Sequence, residues 1–369
     1  MAPSSRSRPT LPTDDGLPMA ATLLDAASMT PHLTERFATP LSDVRVRYLE
    51  YLPGETLTVH YDGRLETGGV AEAYAHASPQ GWRLHAYPDD PALPLLRCDT
   101  AGLADELRLH LGDAPIDRLA WVPGRRAVLR CGGVVIKLYA DAAELHAARS
   151  ALVALEGVVP TAQLISSQPD RGAVAQSALG GVALDRDAAA LEAGGAVEIL
   201  RRLHGAPIHG LPSLDPSDLL ATAHRPAALV SFAAPALAER IRRIVEQLSN
   251  TKPVSGAVAA VHGDFNIGQL LRDGDQLWVV DVDTLASGSP SVDLAAYAAN
   301  VHNGRPGDDD AVRTVLGALV GAYGEAPDDL AWHLATTMLR RIDRPLRRLK
   351  RQWPERIEAV VRSIEDLVR

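Results

Sequence analysis

Acidic and amide side chains flank a predicted β-hairpin in the segment "AVHGDFNIGQLLRDGDQLWVVDVD" at residues 260–283. Asp264 precedes the hairpin, Gln269 follows Asp264 after a four-residue spacer, and Asp281 comes at the end of the second strand. An amide oxygen and a carboxylate are hard ligands of the kind that suits Mg²⁺, and a nearby loop carboxylate can accept a proton from an attacking hydroxyl. This set predicts phosphoryl transfer, in which a metal ion and fixed charges do most of the work.

A lysine in the middle of a predicted strand is the second chemical signal. The chain has only three lysines, and Lys137 lies in "GVVIKLYA" with apolar neighbours on both sides. Burying an unpaired ammonium is costly, so an anionic partner is expected. Glu144, in the following predicted helix, is the partner that we predict, with Asp141 and Glu156 at the borders of the same helix as alternatives. The pair would direct the ammonium at nucleotide phosphates. The alternative is a lysine at the edge of the sheet that reaches water.

Composition excludes several classes of protein. The formal charge of −9 argues against a nucleic-acid binder, which needs a basic face. Cys98 and Cys131 form neither a disulfide framework nor a zinc ligand set. No apolar run is long enough to cross a bilayer, and the start of the chain lacks the apolar region of a secretory signal. We therefore expect a cytoplasmic protein without a membrane partner.

The predicted elements change in type along the chain. Strands with Pro-Gly and Gly-Gly turns dominate the front, and amphipathic helices dominate after Arg186, with the hairpin embedded among them. The segments "YLEYLPGETLTVHY" and "RLAWVPGRRAVLRC" are similar and suggest a weak internal repeat. The alternative is that Pro-Gly hairpins resemble one another. This order predicts an α+β fold with a ligand in a cleft between a β-rich and a helical lobe.

Four motifs together resemble the aminoglycoside phosphotransferase and choline kinase family. They are "VVIKLY", "ILRRLHG", "VHGDFNIGQLL" and "VVDVDTLASGSPSVDLA", and the resemblance runs from about Ile116 to the end of the chain. The first part resembles the cap region of the maltokinase and glucosamine kinase-like subgroup, which also carries Gln at the position of Gln269. The resemblance implies a protein-kinase-like fold with a cap (17–112), a nucleotide-binding lobe (113–180) and a helical lobe (181–369). The composition of residues 1–16, with Arg, Pro and Ser, predicts a disordered arm before the cap.

The resemblance also implies a role for each candidate residue. Asp264 would be the catalytic base, and Gln269 and Asp281 would hold Mg²⁺. Lys137 would contact the α- and β-phosphates of the nucleotide, with Glu144 as its partner.

Neighbouring positions support or depart from the family pattern. Asp293 matches an aspartate that braces the catalytic loop. Asn266 stands where relatives often have His, and Ser289 stands where many have Asp. No GxGxxG loop precedes the strand lysine, and the turn "VPGRR" at residues 122–126 takes its place. Its residues Gly124, Arg125 and Arg126 would approach the phosphates, and the alternative is a surface turn. Asp283 is expected to be a solvated acid, and the alternative is a further metal ligand.

The implied activity is that of a small-molecule kinase. It would move the γ-phosphoryl group of ATP, with GTP left open as the nucleotide, to a hydroxyl of a sugar, amino sugar or aminoglycoside. The alternative is a nucleotide-binding pseudokinase that acts as a regulator or scaffold. The sequence leaves the oligomeric state open.

Overall fold

The computed structural model describes residues 11–254 and 258–369. The strands, in chain order, are β1 (Leu41–Leu52), β2 (Thr56–Leu65), β3 (Val70–Ser78), β4 (Gly81–Ala86), β5 (Ile116–Val122), β6 (Arg126–Cys131), β7 (Val134–Tyr139), β8 (Leu164–Gln168), β9 (Ala173–Ser177), β10 (Val182–Ala183), β11 (Ser213–Leu214), β12 (Ala259–Val261), β13 (Leu270–Asp273), β14 (Gln276–Val279) and β15 (Ala286–Gly288). The α-helices are α1 (Ala20–Leu24), α2 (Ala26–Phe37), α3 (Thr100–Leu107), α4 (Ala142–Ala154), α5 (Ala193–His204), α6 (Pro216–Ala233), α7 (Ala238–Asn250), α8 (Ser291–Gly304), α9 (Asp309–Tyr323), α10 (Leu330–Arg340), α11 (Arg344–Arg347) and α12 (Trp353–Leu367).

The chain divides into two compact units. The first contains the residues up to Tyr87 together with Leu220–Thr251 and Met338–Arg369. The second contains Pro88–Leu219 and Lys252–Thr337. Among the described residues, no helix is both long enough and apolar enough to cross a bilayer.

The first unit is built on the antiparallel meander β1–β2–β3–β4. Alternating side chains of β2 are fully buried, as expected for a sheet with one face on a core. Helix α2 begins at Asp25, whose carboxylate accepts the N–H of Ser28, and it buries Met29 and Leu33.

The predicted arm at residues 1–16 is corrected in part. Residues 1–10 lie outside the described residues. Asp14, however, is buried, and its carboxylate accepts the hydroxyl of Tyr51 at 2.6 Å and the N–H of Gly54 at 2.8 Å. The predicted disorder therefore does not extend to Asp14, because a buried carboxylate must keep its hydrogen-bond donors.

The second unit carries the five-stranded antiparallel sheet β5–β6–β7–β9–β8, with β7 in the centre. Helix α4 packs on β7, β8 and β9, and helices α5 and α8 each pack on α9. The predicted hairpin is confirmed as β13–β14, turning at Gly274, and β10 extends it to three strands. The small sheet β11–β15–β12 lies before and after this hairpin in sequence.

Helix α6 is an element that sequence patterns did not predict. It contains Pro226 in its interior, and prolines at 212 and 216 precede or begin it. Prolines normally end helices, because they lack an N–H and clash with the preceding turn. Burial of Leu219, Leu229 and Val230 on this helix outweighs that local preference.

Candidate active site

The ammonium of Lys137 lies in the centre of the five-stranded sheet of the second unit, and only 8% of its side chain is exposed. Its Nζ lies 2.7 Å from Oδ1 of Asp283 and 3.2 Å from Oδ1 of Asp281. The prediction that this lysine has an anionic partner is confirmed. The predicted identity of that partner is wrong. Glu144 lies in the first turn of α4, where its carboxylate pairs with Arg125 of the β5–β6 turn at 2.8 Å.

Asp281 has an unusual backbone conformation. It follows β14 with φ 58° and ψ 46°, in the left-handed region that only a few per cent of non-glycine residues adopt. Burial by itself would raise the pKa of Asp281, but the positive charges of Lys137 and Arg126 outweigh burial and hold the pKa below its ordinary value. The carboxylate is thus ionised at neutral pH, and 36% of the side chain remains exposed. A strained, ionised and accessible acid is typical of functional sites.

Asp283 is not the solvated acid that the sequence suggested, since only 11% of its side chain is exposed. Its Oδ2 accepts the hydroxyl of Tyr139 at 2.6 Å. Burial and the charge of Asp283 raise the pKa of Tyr139. Tyr139 is two residues from Lys137 on β7, so both side chains leave the same face of the strand. Burial of the acid follows from this pairing, which single-residue reasoning cannot anticipate.

Arg126, at the start of β6, completes the group. Its Nη1 lies 3.6 Å from Oδ1 of Asp281 and 3.8 Å from Oδ2 of Asp283. We call Arg126, Lys137, Asp281 and Asp283 the charge cluster. It contains two cations and two carboxylates. A bound phosphate or metal ion would change the electrostatic interactions among these four groups.

A fully buried carboxylate fixes the loop around Asp264 by accepting hydrogen bonds from its backbone. Asp293 accepts the N–H of His262 on Oδ2 at 2.8 Å and the N–H of Gly263 on Oδ1 at 2.9 Å. His204 lies 3.1 Å from the same Oδ2 and 2.9 Å from the hydroxyl of Tyr323. The bracing role expected of Asp293 is confirmed, and it places Asp264 at the end of a rigid backbone.

The same loop is tied to the segment that carries Asp281. The Nε2 of His262 lies 3.2 Å from the carbonyl oxygen of Val280, and the hydroxyl of Thr284 donates to the carbonyl oxygen of His262 at 2.7 Å. Gly263 has φ 86°, and a Cβ there would lie 2.5 Å from the carbonyl oxygen of Thr284. Only glycine allows this approach, which links the Asp264 loop to Asp281.

Gln269 ends a short 3₁₀ turn at Ile267–Gln269. Its side-chain oxygen accepts the N–H of Asn266 at 3.2 Å, and its carbonyl oxygen accepts the N–H of Val280 at 2.9 Å. The second bond brings Gln269 next to the residue that precedes Asp281. Asn266 in turn accepts the N–H of Gly268 at 3.1 Å and donates to the carbonyl oxygen of Asp264 at 3.0 Å. The side chain of Asn266 therefore shapes the loop by bonding to the backbone groups of its neighbours.

The side-chain oxygens of Asp281 and Gln269 suit a divalent cation that a further ligand also binds. Among residues 11–254 and 258–369, no group of three or more His, Cys, Asp and Glu side chains could hold a metal ion alone. Asp281 offers an ionised carboxylate, and the amide oxygen of Gln269 keeps a second lone pair beyond its bond to Asn266. Two hard oxygen ligands suit Mg²⁺, which is usually held by few protein groups together with substrate phosphates and water.

Comparison with known families identifies this arrangement. Residues 118–333, more than half of the chain, match the family model described as APH, the Phosphotransferase enzyme family. This chain belongs to that family. The matched region contains Lys137, Asp264, Gln269, Asp281 and Asp293.

Solved structures support the fold of this phosphotransferase. It is similar to the choline kinase LicA of Streptococcus pneumoniae, with 11% identity, a TM-score of 0.52 and coverage of 72% of this chain and 96% of that chain. It is also similar to the aminoglycoside phosphotransferase APH(2")-IIa, solved as a gentamicin complex, with 11% identity, a TM-score of 0.50 and coverage of 68% and 92%. The α+β, protein-kinase-like fold class is confirmed. No curated protein matches the sequence.

A cavity of about 660 Å³ with both polar and apolar lining opens beside the Asp264 loop of the phosphotransferase. Its wall combines loop residues with charged and amide side chains, among them Asn266, Gly268, Asp185, Arg186, Asp187, Asn300 and Arg305. Arg186 donates to the side-chain oxygen of Asn300 at 2.7 Å, and Arg305 lies 3.0 Å from Asp187. The wall therefore presents both signs of charge and several hydrogen-bonding groups.

Sequence reasoning missed some members of the site. Arg126 was named in the turn as one of the residues that would approach the phosphates, but its contacts with Asp281 and Asp283 were not predicted, and Tyr139 was not considered. The spacing of Tyr139 from Lys137 was a usable signal, since residues two apart share a strand face. The position of Arg126 opposite Tyr139 depends on the register of β6 and β7, which sequence does not give.

Proposed function

We propose that this phosphotransferase transfers the γ-phosphoryl group of ATP to a hydroxyl group of a sugar or amino sugar. The observation that carries the proposal is the charge cluster, in which a buried lysine meets Asp281 at 3.2 Å. Within the same unit, Asp264 lies on a loop whose backbone N–H groups are bonded to Asp293 and whose His262 side chain lies 3.2 Å from the carbonyl oxygen of Val280. Phosphoryl transfer needs such a set, because catalysis depends on positioning and on fixed charges.

In this proposal, the cations of the charge cluster bind the nucleotide. Lys137 contacts the phosphates from the sheet, and Arg126 approaches them from the β5–β6 turn. Glu144 acts on the same turn through its pair with Arg125. Its role is thus to orient the turn, in place of the predicted pair with Lys137.

Asp281 and Gln269 hold Mg²⁺ in this proposal. When bound, the metal ion neutralises the charge that develops on the phosphate oxygens. Asp281 is suited to this role, since its pKa is held below the ordinary value by Lys137 and Arg126 and it remains ionised. With a cation held there, Asp281 would need less of the positive charge of Lys137, and the Lys137 ammonium would be available to the phosphates.

Asp264 is the proposed catalytic base. The acceptor hydroxyl oxygen forms the new bond to the γ-phosphorus while the bond from that phosphorus to the β–γ bridging oxygen breaks. The hydroxyl proton passes to the Asp264 carboxylate, and ADP leaves. No covalent enzyme intermediate is required, because the two substrates meet directly.

The cavity beside the loop supports the choice of acceptor. Its wall carries two arginines, Arg186 and Arg305, against two aspartates, Asp185 and Asp187. A polycationic aminoglycoside would require a wall with excess negative charge. Balanced charges and amide groups suit the hydroxyls of a neutral sugar or of a sugar with a single amine.

A substrate panel tests the proposal. The full chain would be incubated with MgATP and with neutral sugars, amino sugars, aminoglycosides, cyclitols and amino alcohols, and ADP release would be measured by a coupled assay. We expect turnover with a sugar or amino sugar that is lost in Asp264→Asn. Asp275→Asn, at the exposed tip of the β13–β14 hairpin, is the matched control and should retain activity.

The panel separates the alternatives. Turnover restricted to aminoglycosides would contradict the acceptor assignment but not the kinase. Nucleotide binding without turnover on any acceptor would favour a regulatory pseudokinase. Full activity in Asp264→Asn would overturn the base. Replacing ATP with GTP in the same assay determines the nucleotide preference.

A further inference from the structure

A buried carboxylate holds the turn between β5 and β6. Asp90 is fully buried, and its Oδ2 accepts the N–H of Gly124 at 2.8 Å and the indole N–H of Trp121 at 3.0 Å. Its Oδ1 accepts the N–H of Ala92 at 3.1 Å. Gly124 has φ 69°, so the turn depends on a left-handed residue that must be fixed from outside. Arg125 and Arg126 follow directly.

The first unit contains the same arrangement of a buried aspartate and a Pro-Gly turn. Asp14 is 8% exposed, and its Oδ2 accepts the N–H of Gly54 at 2.8 Å and the hydroxyl of Tyr51 at 2.6 Å. Its Oδ1 accepts the N–H of Gly16 at 3.0 Å. Gly54 has φ 77° and follows a proline, as Gly124 does. In each unit, one carboxylate oxygen therefore binds an aromatic donor and a turn glycine.

The similarity extends beyond the turn. Asp14 and Asp90 both precede a buried leucine and a proline, in "DDGLP" and "DPALP". Asp25 and Asp99 then begin helices α2 and α3, each by accepting an N–H three residues later. Both helices end in a left-handed residue at the C-cap. The weak sequence repeat around the Pro-Gly turns thus corresponds to a repeated structural unit.

The two copies differ where chemistry is expected. Counting from Tyr51 and Trp121, the positions of Arg125 and Arg126 are Glu55 and Thr56 in the first copy. Lys137 pairs in register with Val128, and the matching pair in the first copy is Thr58 with His76. The brace is common to both copies, whereas the three cations belong to the second alone.

We propose that Asp90 is a positioning residue for nucleotide binding, which holds the β5–β6 turn so that Arg125 and Arg126 reach the phosphates. This inference rests on the function proposed above. Arg126 approaches Asp281 to 3.6 Å, so a shift of the turn moves a member of the charge cluster. Asp90 touches no reacting atom in this scheme and acts only through the backbone of Gly124.

Matched variants test the inference. Asp90→Asn and Asp14→Asn each keep one acceptor oxygen and lose the other. Each variant therefore removes at least one hydrogen bond that the carboxylate accepts from the turn glycine, the aromatic side chain or the N–H two residues later. The affinities for MgATP and for adenosine would be measured by isothermal titration calorimetry, with melting temperatures as the measure of folding. We expect Asp90→Asn to weaken MgATP binding roughly tenfold while the affinity for adenosine stays unchanged, because the loss of one charge-assisted bond acts on the phosphates only.

Asp14→Asn should bind MgATP as the wild type does, even where both variants lower the melting temperature. Trp121→Phe and Tyr51→Phe repeat the comparison by removing one donor each, so the test stands if Asp90→Asn does not fold. Equal MgATP affinity in both members of each pair would overturn the inference, as would a parallel loss of adenosine affinity. A wild type that binds no nucleotide would overturn the proposed function together with it.

Discussion

The buried pair of Lys137 and Asp283 offers a quantitative test of the charge cluster. Replacing Lys137 with Met removes the charge and shortens the side chain by one atom. Asp283, of which 11% of the side chain is exposed, would then keep only the hydroxyl of Tyr139 and the distant Arg126. Removing one partner of a buried ion pair typically costs about 3–5 kcal/mol, so we expect the free energy of unfolding to fall by about 3 kcal/mol.

The double variant Lys137→Met/Asp283→Asn should recover part of this loss. The substituted amide would be neutral and could still accept the hydroxyl of Tyr139, so no buried charge would be left unpaired. We expect a coupling energy of about 2 kcal/mol between the two substitutions. The same cycle with Asp281→Asn should give about 1 kcal/mol or less, because that carboxylate is 3.2 Å away and 36% exposed.

Urea unfolding at pH 7, followed by far-ultraviolet circular dichroism, measures all of these free energies. The comparison between the two cycles is the decisive quantity, since it cancels effects of shortening the lysine. A coupling energy below about 0.5 kcal/mol for Asp283, within the range of additive sites, would refute the buried pair. A larger coupling for Asp281 than for Asp283 would refute the argument from exposure.

Four further outcomes are expected. Asp281→Ala should remove the Mg²⁺-dependent part of ATP binding, which calorimetry with Mg²⁺ and with a chelator compares; equal affinities would exclude Asp281 from the metal site. Asp293→Asn should lower kcat by about 10- to 100-fold with little change in KM for ATP, because the loop loses its orientation; an unchanged kcat in steady-state assays would contradict this. Burial raises the pKa of Asp343 to about 7 from 3.8, so the folded state keeps a proton that the unfolded state releases. Wild-type stability should therefore fall by up to about 4 kcal/mol between pH 4 and pH 7 and then level off, while Asp343→Asn should not show this fall; parallel urea-unfolding profiles of the two proteins would speak against it. Deletion of residues 1–16 should lower the melting temperature in a calorimetric scan, because the buried carboxylate of Asp14 is lost with them, and an unchanged melting temperature would count against its bracing role.

The order of elements and the family could be read from the sequence, because both depend on local signals. Pro-Gly turns, alternating apolar residues and helical periods each act within a short window. The "HGD" segment and the hairpin after it carried the family resemblance in the same way. Helix α6 was missed for the converse reason, since its internal proline is tolerated only because of tertiary burial.

The partners within the site could not be read from the sequence. Lys137 meets residues that are 144 and 146 positions away, and Glu144, only seven positions away, binds elsewhere. Proximity in sequence suggested the wrong partner, because the strand and the helix after it direct their side chains to different neighbours. The burial of Asp283 has the same origin, since an acid becomes buried only where a cation and a hydroxyl donor meet it.

The repeated brace separates the part of the site that serves folding from the part that serves chemistry. A Pro-Gly turn with a left-handed glycine leaves an N–H that must find an acceptor, and Asp14 and Asp90 provide one in each unit. Because the first copy keeps this acceptor without the three cations, the acceptor alone does not make a nucleotide site. Because the second copy carries its arginines directly after the fixed glycine, their backbone starts from a defined position. The binding of phosphate then depends on two independent features, a turn held by a carboxylate and the cations placed on that turn. Loss of either feature should weaken nucleotide binding and leave the other feature in place.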